Sequence, residues 1–196
     1  MIIEKILPFA KSLLKKAVKP GDVVVDATVG NGYDTVFLAE LVGESGHVYG
    51  FDIQAEAIAA SKERLTQNCL LERCTLLHSG HEHLSSMLPP IHHGKVSGAI
   101  FNLGYLPGSD KTIVTRPETT IASIQQLLAI MAPEGVIVLV IYHGHKGGAE
   151  ERDSLLTYCQ QINQKTAHVL QYQFINQQNN PAFIVAIEIR KAQAPV

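Results

Sequence analysis

The run GVIVLVIY, residues 135–142, has almost no polar side chain, and it constrains the fold more than any other stretch. A strand wetted on one face alternates apolar and polar residues. A strand without alternation is covered on both faces, as in a parallel sheet between two helical layers. VVVDA at 23–27 has the same character. Helical spacing supplies the covering layers at 33–42, 55–68, 117–131 and 148–163, between further strand-like runs at 47–52, 74–79 and 95–102. After five strands the alternation breaks. Residues 167–175 and 182–190 read as strands joined by NQQNNP with no helix between them, which signals a hairpin. The expected class is α/β: a doubly wound, Rossmann-like sheet of about seven strands, mostly parallel, with an antiparallel C-terminal hairpin. Ile3, Ile6, Leu7, Ala10, Leu13, Leu14 and Ala17 recur at helical spacing, predicting an N-terminal helix over 2–18 that ends at Lys19-Pro20-Gly21. With 196 residues, no internal repeat and no linker, a single domain, 1–196, is expected.

Composition removes several alternatives. A chain that is 46% hydrophobic and 17% charged is globular rather than disordered. No apolar run reaches the roughly 18 residues of a membrane span, so no membrane partner is expected. The first 22 residues mix lysines into their apolar stretch without a small-residue cleavage site, which points to a cytoplasmic protein. Cys69, Cys74 and Cys159 are odd in number and lack C-x-x-C spacing, as suits buried thiols in a reducing compartment. A net charge of −2 argues against general polyanion binding. Lys11, Lys15, Lys16 and Lys19 nevertheless cluster near the start, as either a solvated face or a local nucleic-acid patch.

In doubly wound sheets, ligands bind outside the carboxyl ends of the strands at the topological switch point. The first such end is DATVGNGYDT, 26–35, where Gly30 and Gly32 permit a tight turn before the N–H groups of a helix. Asp52 closes the second strand, placed to accept hydrogen bonds from a ribose. A dinucleotide would use similar features, but G-x-G-x-x-G requires glycine where Thr35 stands. By itself the loop is either a nucleotide cradle or a turn that packs helix on strand.

The strand-one acid, x-Thr-x-Gly-x-Gly, the strand-two acid and the terminal hairpin together resemble class I S-adenosylmethionine-dependent methyltransferases. The likeness covers nearly all of the chain after residue 20, with Thr28 where the general pattern has its first glycine. It implies S-adenosyl-L-methionine as cofactor. Asp26 would orient the loop and approach the methionine ammonium, and Asn31, Gly32 and Tyr33 would line the cofactor. Asp52 would bind the ribose hydroxyls, with Gln54 near the adenosine. From HSGHEHL, after strand three, Ser79, His81 and Glu82 would contact adenine. Asp34 and Thr35 open the helix and read equally as caps or ligands.

The fourth strand ends in FNLGYLPGSDK, 101–111. FNLGYLP resembles the Asn-Pro-Pro-Tyr signature of methyltransferases acting on amino nitrogens, with Leu103-Gly104 in place of the two prolines. In that signature the amide oxygen and a backbone carbonyl accept the N–H hydrogens and aim the lone pair. Asn102 is therefore the expected acceptor, and Tyr105 would stack on a base or shape the pocket. Tyr142 or His143, in YHGHKGG at 142–148, would contact the base or assist proton transfer. Lys111, Arg116 and Lys146 would meet phosphates.

At a finer level DATVGNGYDT, SGHEHL, FNLGYLPGSDK and YHGHKGGAEE resemble a small family long labelled ribosomal RNA methylases. Its members are understood as transfer-RNA methyltransferases that convert the wobble 5-aminomethyl-2-thiouridine to the 5-methylaminomethyl form. The resemblance implies methyl transfer to that amine, with the tRNA anticodon region as partner. A homodimer would extend the docking surface of so short a chain. A free alkyl amine has a pKa of about 10 and is mostly protonated at neutral pH. A methylsulfonium about 4 Å away opposes that charge by about 4 kcal/mol at an effective dielectric of about 20, or about 3 pH units. Orientation by Asn102, with water taking the proton, is the expected mechanism.

Other chemistries lack their residues. None of the nine histidines falls in H-E-x-x-H, no cysteine set accompanies them, and no metal site is expected. No strand-end loop supplies an activated cysteine, which favours an amine over a ring carbon as acceptor. There is no G-x-S-x-G elbow for a hydrolase. Besides the tRNA enzyme, two readings stay open: an rRNA or small-molecule amine N-methyltransferase, and a non-catalytic RNA-binding protein that keeps the fold.

Overall fold

A computed structural model describes residues 2–104, 114–145 and 147–191. Among them seven strands form one sheet: β1 (Val23–Asp26), β2 (His47–Asp52), β3 (Cys74–His78), β4 (Val96–Leu103), β5 (Met131–Ile141), β6 (Ala167–Tyr172) and β7 (Phe183–Ile189). Their order is β3-β2-β1-β4-β5-β7-β6. β1 to β5 pair in parallel, while β7 runs antiparallel to both β5 and β6. The helices are α1 (Ile6–Ala17), α2 (Tyr33–Val42), α3 (Ala55–Gln67), α4 (Leu84–Met87), α5 (Pro117–Ile130) and α6 (Gly148–Gln160). The chain winds outward from β1 in one direction and from β4 in the other, so the switch point lies between their carboxyl ends.

Alternation along β5 shows why its sequence has no polar face. Ile137, Leu139 and Ile141 pack in one core with Ile124 and Leu127 of α5 and Leu155 of α6. Val136, Val138 and Val140 pack in the other with Leu14 of α1 and Leu38 of α2. The strand starts earlier than its composition suggested, at Met131 rather than 135. Glu134 takes a left-handed φ of 65° there, and the β4–β5 register shifts between Val96 and Gly98.

The hairpin is present, but its second strand lies inside its first. β7, FIVAIEI, is almost wholly apolar and inserts beside β5. β6, AHVLQY, exposes His168 and Gln171 and takes the sheet edge. Between β3 and β4 the chain makes single 3-10 turns at His81–His83 and Pro90–His92 around α4, pieces too short to leave a periodic trace. Gln126 of α5 pins this segment: its Oε1 accepts Ser85 N–H at 2.7 Å and its Nε2 donates to the Glu82 carbonyl at 2.5 Å. That bracing fixes His81 and Glu82 at the carboxyl end of β3.

α1 buries Ala10 and Leu14 against the sheet, with Val18 just past its end, and Phe9 stacks on Tyr172 with centroids 4.0 Å apart. This placement brings Leu7 and Lys11 to the mouth of the crevice described below. Of the three thiols only Cys159 is fully buried; Cys69, expected inside, is exposed at the end of α3. No described helix is long and apolar enough to cross a membrane.

Candidate active site

The carboxyl ends of β1, β2, β4 and β5 open into one crevice of about 1380 Å³, walled by α1 on one side and the start of α5 on the other. A single small ligand commonly occupies roughly 300–1,000 Å³. The crevice therefore has room for a cofactor and part of an acceptor.

Its floor is the turn after β1. Asp26, expected to reach the methionine ammonium, is instead fully buried and does not line the crevice. Its Oδ1 accepts Thr28 N–H at 3.2 Å and its Oδ2 accepts the Thr35 hydroxyl at 2.7 Å, so it orients the loop from beneath. Thr35 is thus neither a cap nor a ligand. Gly32 also faces away from the crevice. At φ 78° it starts α2, and a Cβ there would lie 2.7 Å from Ser61 Oγ and 2.9 Å from Ser61 Cα, so glycine is what lets α3 close against the turn. Asn31 and Tyr33 do line the crevice. Arg64 of α3 holds both, with Nε donating to the Asn31 carbonyl at 2.7 Å and the guanidinium 3.8 Å over the Tyr33 ring.

Burial, and next the Asp34 charge, push Asp26 up to about 7 against the opposing bonds from Thr35 and Thr28. The folded state therefore binds the Asp26 proton more tightly than the unfolded chain, whose carboxyl titrates at about 3.9. The stabilising contribution is complete below the unfolded value and is lost as pH rises toward 7, a decline of about 3–4 kcal/mol from this group. Asp26→Asn keeps an acceptor for Thr28 N–H and a donor for Thr35 Oγ1. It should therefore flatten the fall in urea-unfolding free energy between pH 4.5 and 7.5; a variant whose slope matches wild type would refute this account.

On the β2 side, Asp52 Oδ2 accepts Gly30 N–H and Oδ1 accepts Gln54 N–H, each at 2.9 Å. A carboxylate accepts about four hydrogen bonds, so capacity for a diol remains. Gln54 and the half-exposed Ile53 stand beside it. Ser79, His81 and Glu82 line the wall beyond. His81 donates through Nδ1 to the Ala27 carbonyl at 3.0 Å, and burial lowers its pKa, so the ring is neutral with Nε2 as acceptor. That Nε2 is buried without a hydrogen-bond partner. An unspent acceptor there suits an exocyclic amino group, and the remaining lone pairs of Asp52 suit a ribose. The residues fit an adenosine.

At the end of β4 stands Asn102. Its backbone N–H donates to Thr28 Oγ1 at 2.7 Å, and its side-chain Nδ2 donates to Asp34 Oδ2 at 2.6 Å. Thr28 thus departs from the glycine pattern for a reason: its hydroxyl ties the β1 turn to β4. Asp34 Oδ1 meets Lys11 Nζ of α1 at 3.5 Å. The backbone carbonyls beside Asn102 each already accept one N–H: Leu103 C=O from Tyr142 at 3.1 Å, and Gly104 C=O from Thr115 at 3.0 Å. Gly104 lies at φ 147°, a backbone conformation that a residue with a Cβ rarely adopts.

Tyr142 lines the crevice at 40% exposure, and burial, then Asp34, raise its phenol above the usual range, so it stays protonated. His143 is turned inward against Phe183, with ring centroids 5.6 Å apart and 7% exposure, a wall residue rather than an exposed base contact. Burial lowers its pKa. Arg116 is exposed at the rim. Tyr105, Lys111 and Lys146 lie outside the described residues. The sequence reading missed Thr28, Ile53, Leu7 and Asn180 as lining residues. Asn180 sits at φ 51° in the β6–β7 connection, where N-N-P was legible only as a turn.

Switch-point crevice, glycine turn, diol-facing carboxylate and an inserted antiparallel β7 together define a class I S-adenosylmethionine-dependent methyltransferase. Residues 48–188 match the family described as "Putative rRNA methylase", and the chain belongs to that family. The crystal structure of a protein so described from Clostridium thermocellum is 43% identical with a TM-score of 0.92, covering 95% of this chain and 98% of that one. A protein from Streptococcus mutans described as "a putative methyltransferase", solved in complex with SAH, is 32% identical with a TM-score of 0.86, covering 95% of this chain and 99% of that one. Among curated relatives, the chloroplastic tRNA (mnm(5)s(2)U34)-methyltransferase of Arabidopsis thaliana is 36% identical over 156 residues, 76% of this chain and 56% of that protein. The chain spans about half the length, or less, of the curated relatives it matches.

Proposed function

We propose that this protein methylates the primary amine of wobble 5-aminomethyl-2-thiouridine in tRNA, giving the 5-methylaminomethyl nucleoside. Bound in the crevice, S-adenosylmethionine supplies an electrophilic methyl group. Asp52 would hold its ribose hydroxyls, and His81, with its unpartnered Nε2, would hold the adenine amino group. Asn102 Oδ1 accepts an N–H of the substrate amine and aims the nitrogen lone pair along the crevice. The amine arrives protonated and releases its proton to water before attack. Tyr142, with its phenol protonated, flanks the base, and the rim around Arg116 receives the anticodon backbone.

The observation that carries the reading is the Asn102 amide at the crevice: its Nδ2 donates to Asp34, which turns its oxygen to the other side, where it can accept an N–H. The name of the Arabidopsis relative supports the substrate. The test is incubation of purified protein and labelled cofactor with tRNA that carries or lacks the aminomethyl group, followed by nucleoside mass spectrometry. Label in 5-methylaminomethyl-2-thiouridine is expected. Label in rRNA alone, in a small amine without RNA, or nowhere overturns the substrate assignment.

A further inference from the structure

We propose that Asp34 is a positioning residue that decides which atom Asn102 offers to the acceptor. The inference rests on the amine reading above and concerns a residue that its position opening α2 marked only as a cap or a ligand. In the structure its side chain does neither locally. It crosses to β4 and bonds the Asn102 amide at 2.6 Å, 68 residues away in sequence.

An ionised carboxylate can only accept hydrogen bonds. Facing Asp34, Asn102 must present Nδ2, which turns Oδ1 to the opposite side. The two ends of an asparagine amide are nearly the same size, so shape does not select between the two orientations. In the flipped orientation the crevice would meet an NH2 donor, and the N–H hydrogens of an amine would face N–H hydrogens.

Two further observations make this orientation decisive. The neighbouring carbonyls of Leu103 and Gly104 each already accept a backbone N–H, from Tyr142 and Thr115, so among the described residues Asn102 Oδ1 is the side-chain amide acceptor at the end of β4. The rest of the unit is immobilised. Thr28 Oγ1 holds the Asn102 backbone, and Lys11 holds the second Asp34 oxygen. Asp34 is itself only 17% exposed in its side chain. Lys11, one of the lysines read as a solvated or RNA-facing cluster, thus belongs to the catalytic crevice.

The exchange of the two side chains tests this. Asp34→Asn removes the orientation rule, because an amide at position 34 can offer either end. It should lower kcat by about 30–100-fold while S-adenosylhomocysteine binding stays within about twofold. In the double variant, Asp34→Asn with Asn102→Asp, the amide now at position 34 donates its NH2 to the carboxylate now at position 102. That carboxylate accepts in every orientation, so no orientation rule is needed. The double variant should recover to within about tenfold of wild type. A purely structural role for Asp34 predicts no such recovery. A single variant within about threefold of wild-type kcat, or a double variant no better than the single, overturns the proposal.

A second measurement does not depend on turnover. With S-adenosylhomocysteine bound, the Asn102 side-chain amide should show one strongly deshielded, slowly exchanging proton in an NMR spectrum, and Asp34→Asn should abolish it. Two ordinary, fast-exchanging protons in the wild type overturn the proposal. A wild type with that resonance but no methyl transfer to any aminomethyl tRNA would instead overturn the substrate assignment alone.

Discussion

Asn102→Ala is expected to lower kcat by about 10²–10³-fold while the dissociation constant for S-adenosylhomocysteine stays within about twofold. The reason is where the side chain stands. It lines the crevice from the end of β4, across the switch point from the Asp52 carboxylate at the end of β2. Truncation removes the acceptor that fixes the direction of the nitrogen lone pair, an interaction of the acceptor rather than of the cofactor. A misdirected nucleophile loses the advantage of prepaid orientation, which is why the loss belongs in kcat. The backbone hydrogen bond to Thr28 Oγ1 survives the substitution, so β4 keeps its seat on the β1 turn. Asp34 loses a partner but keeps Lys11 and access to water, so no charge is stranded. Single-turnover assays beside calorimetry separate the two quantities. If kcat stays within about threefold of wild type, Asn102 does not direct the amine.

What the sequence made legible follows the range of the interactions involved. The strands were readable because burial on both faces leaves a local mark, as in VVVDA and GVIVLVIY. The order within the terminal hairpin was not read, although the contrast between FIVAIEI and AHVLQY carries it: the apolar partner takes the interior position. The placement of Asp52 and Asn102 at the crevice was readable because a doubly wound sheet opens its crevice at strand ends, where strand length alone locates them. The motif around the glycine turn could not say which way each residue faces. Gly32 answers to Ser61 of α3, and Asp26 answers to Thr35 beneath the loop. The bonds from Thr28 and Asp34 to Asn102 span 74 and 68 residues, and no local pattern encodes them. Lys11 looked like its neighbours in a basic run until the packing of α1 placed it beside Asp34.

Asp52→Ala is expected to show the complementary signature: weaker cofactor binding by about 10²–10³-fold, with a smaller effect on the turnover of saturated enzyme. Two causes add. On the proposed reading the carboxylate would contribute charge-assisted bonds to a ribose diol, each worth about 1.5–3 kcal/mol. It also accepts the N–H groups of Gly30 and Gln54, so it clamps the glycine turn to the end of β2. Alanine leaves both donors unpaired and lets the turn relax, at a stability cost of about 1–3 kcal/mol measurable by thermal or urea unfolding. Asp52→Asn separates the causes, because an asparagine can still accept one backbone N–H while its NH2 group opposes the other. If the aspartate acts mainly on the ligand, the asparagine variant keeps most of the stability and loses most of the affinity. If it acts only as a brace, affinity and stability fall in proportion across the two variants. Retention of cofactor affinity within about threefold in Asp52→Ala would exclude a ribose contact and leave Asp52 as part of the turn alone.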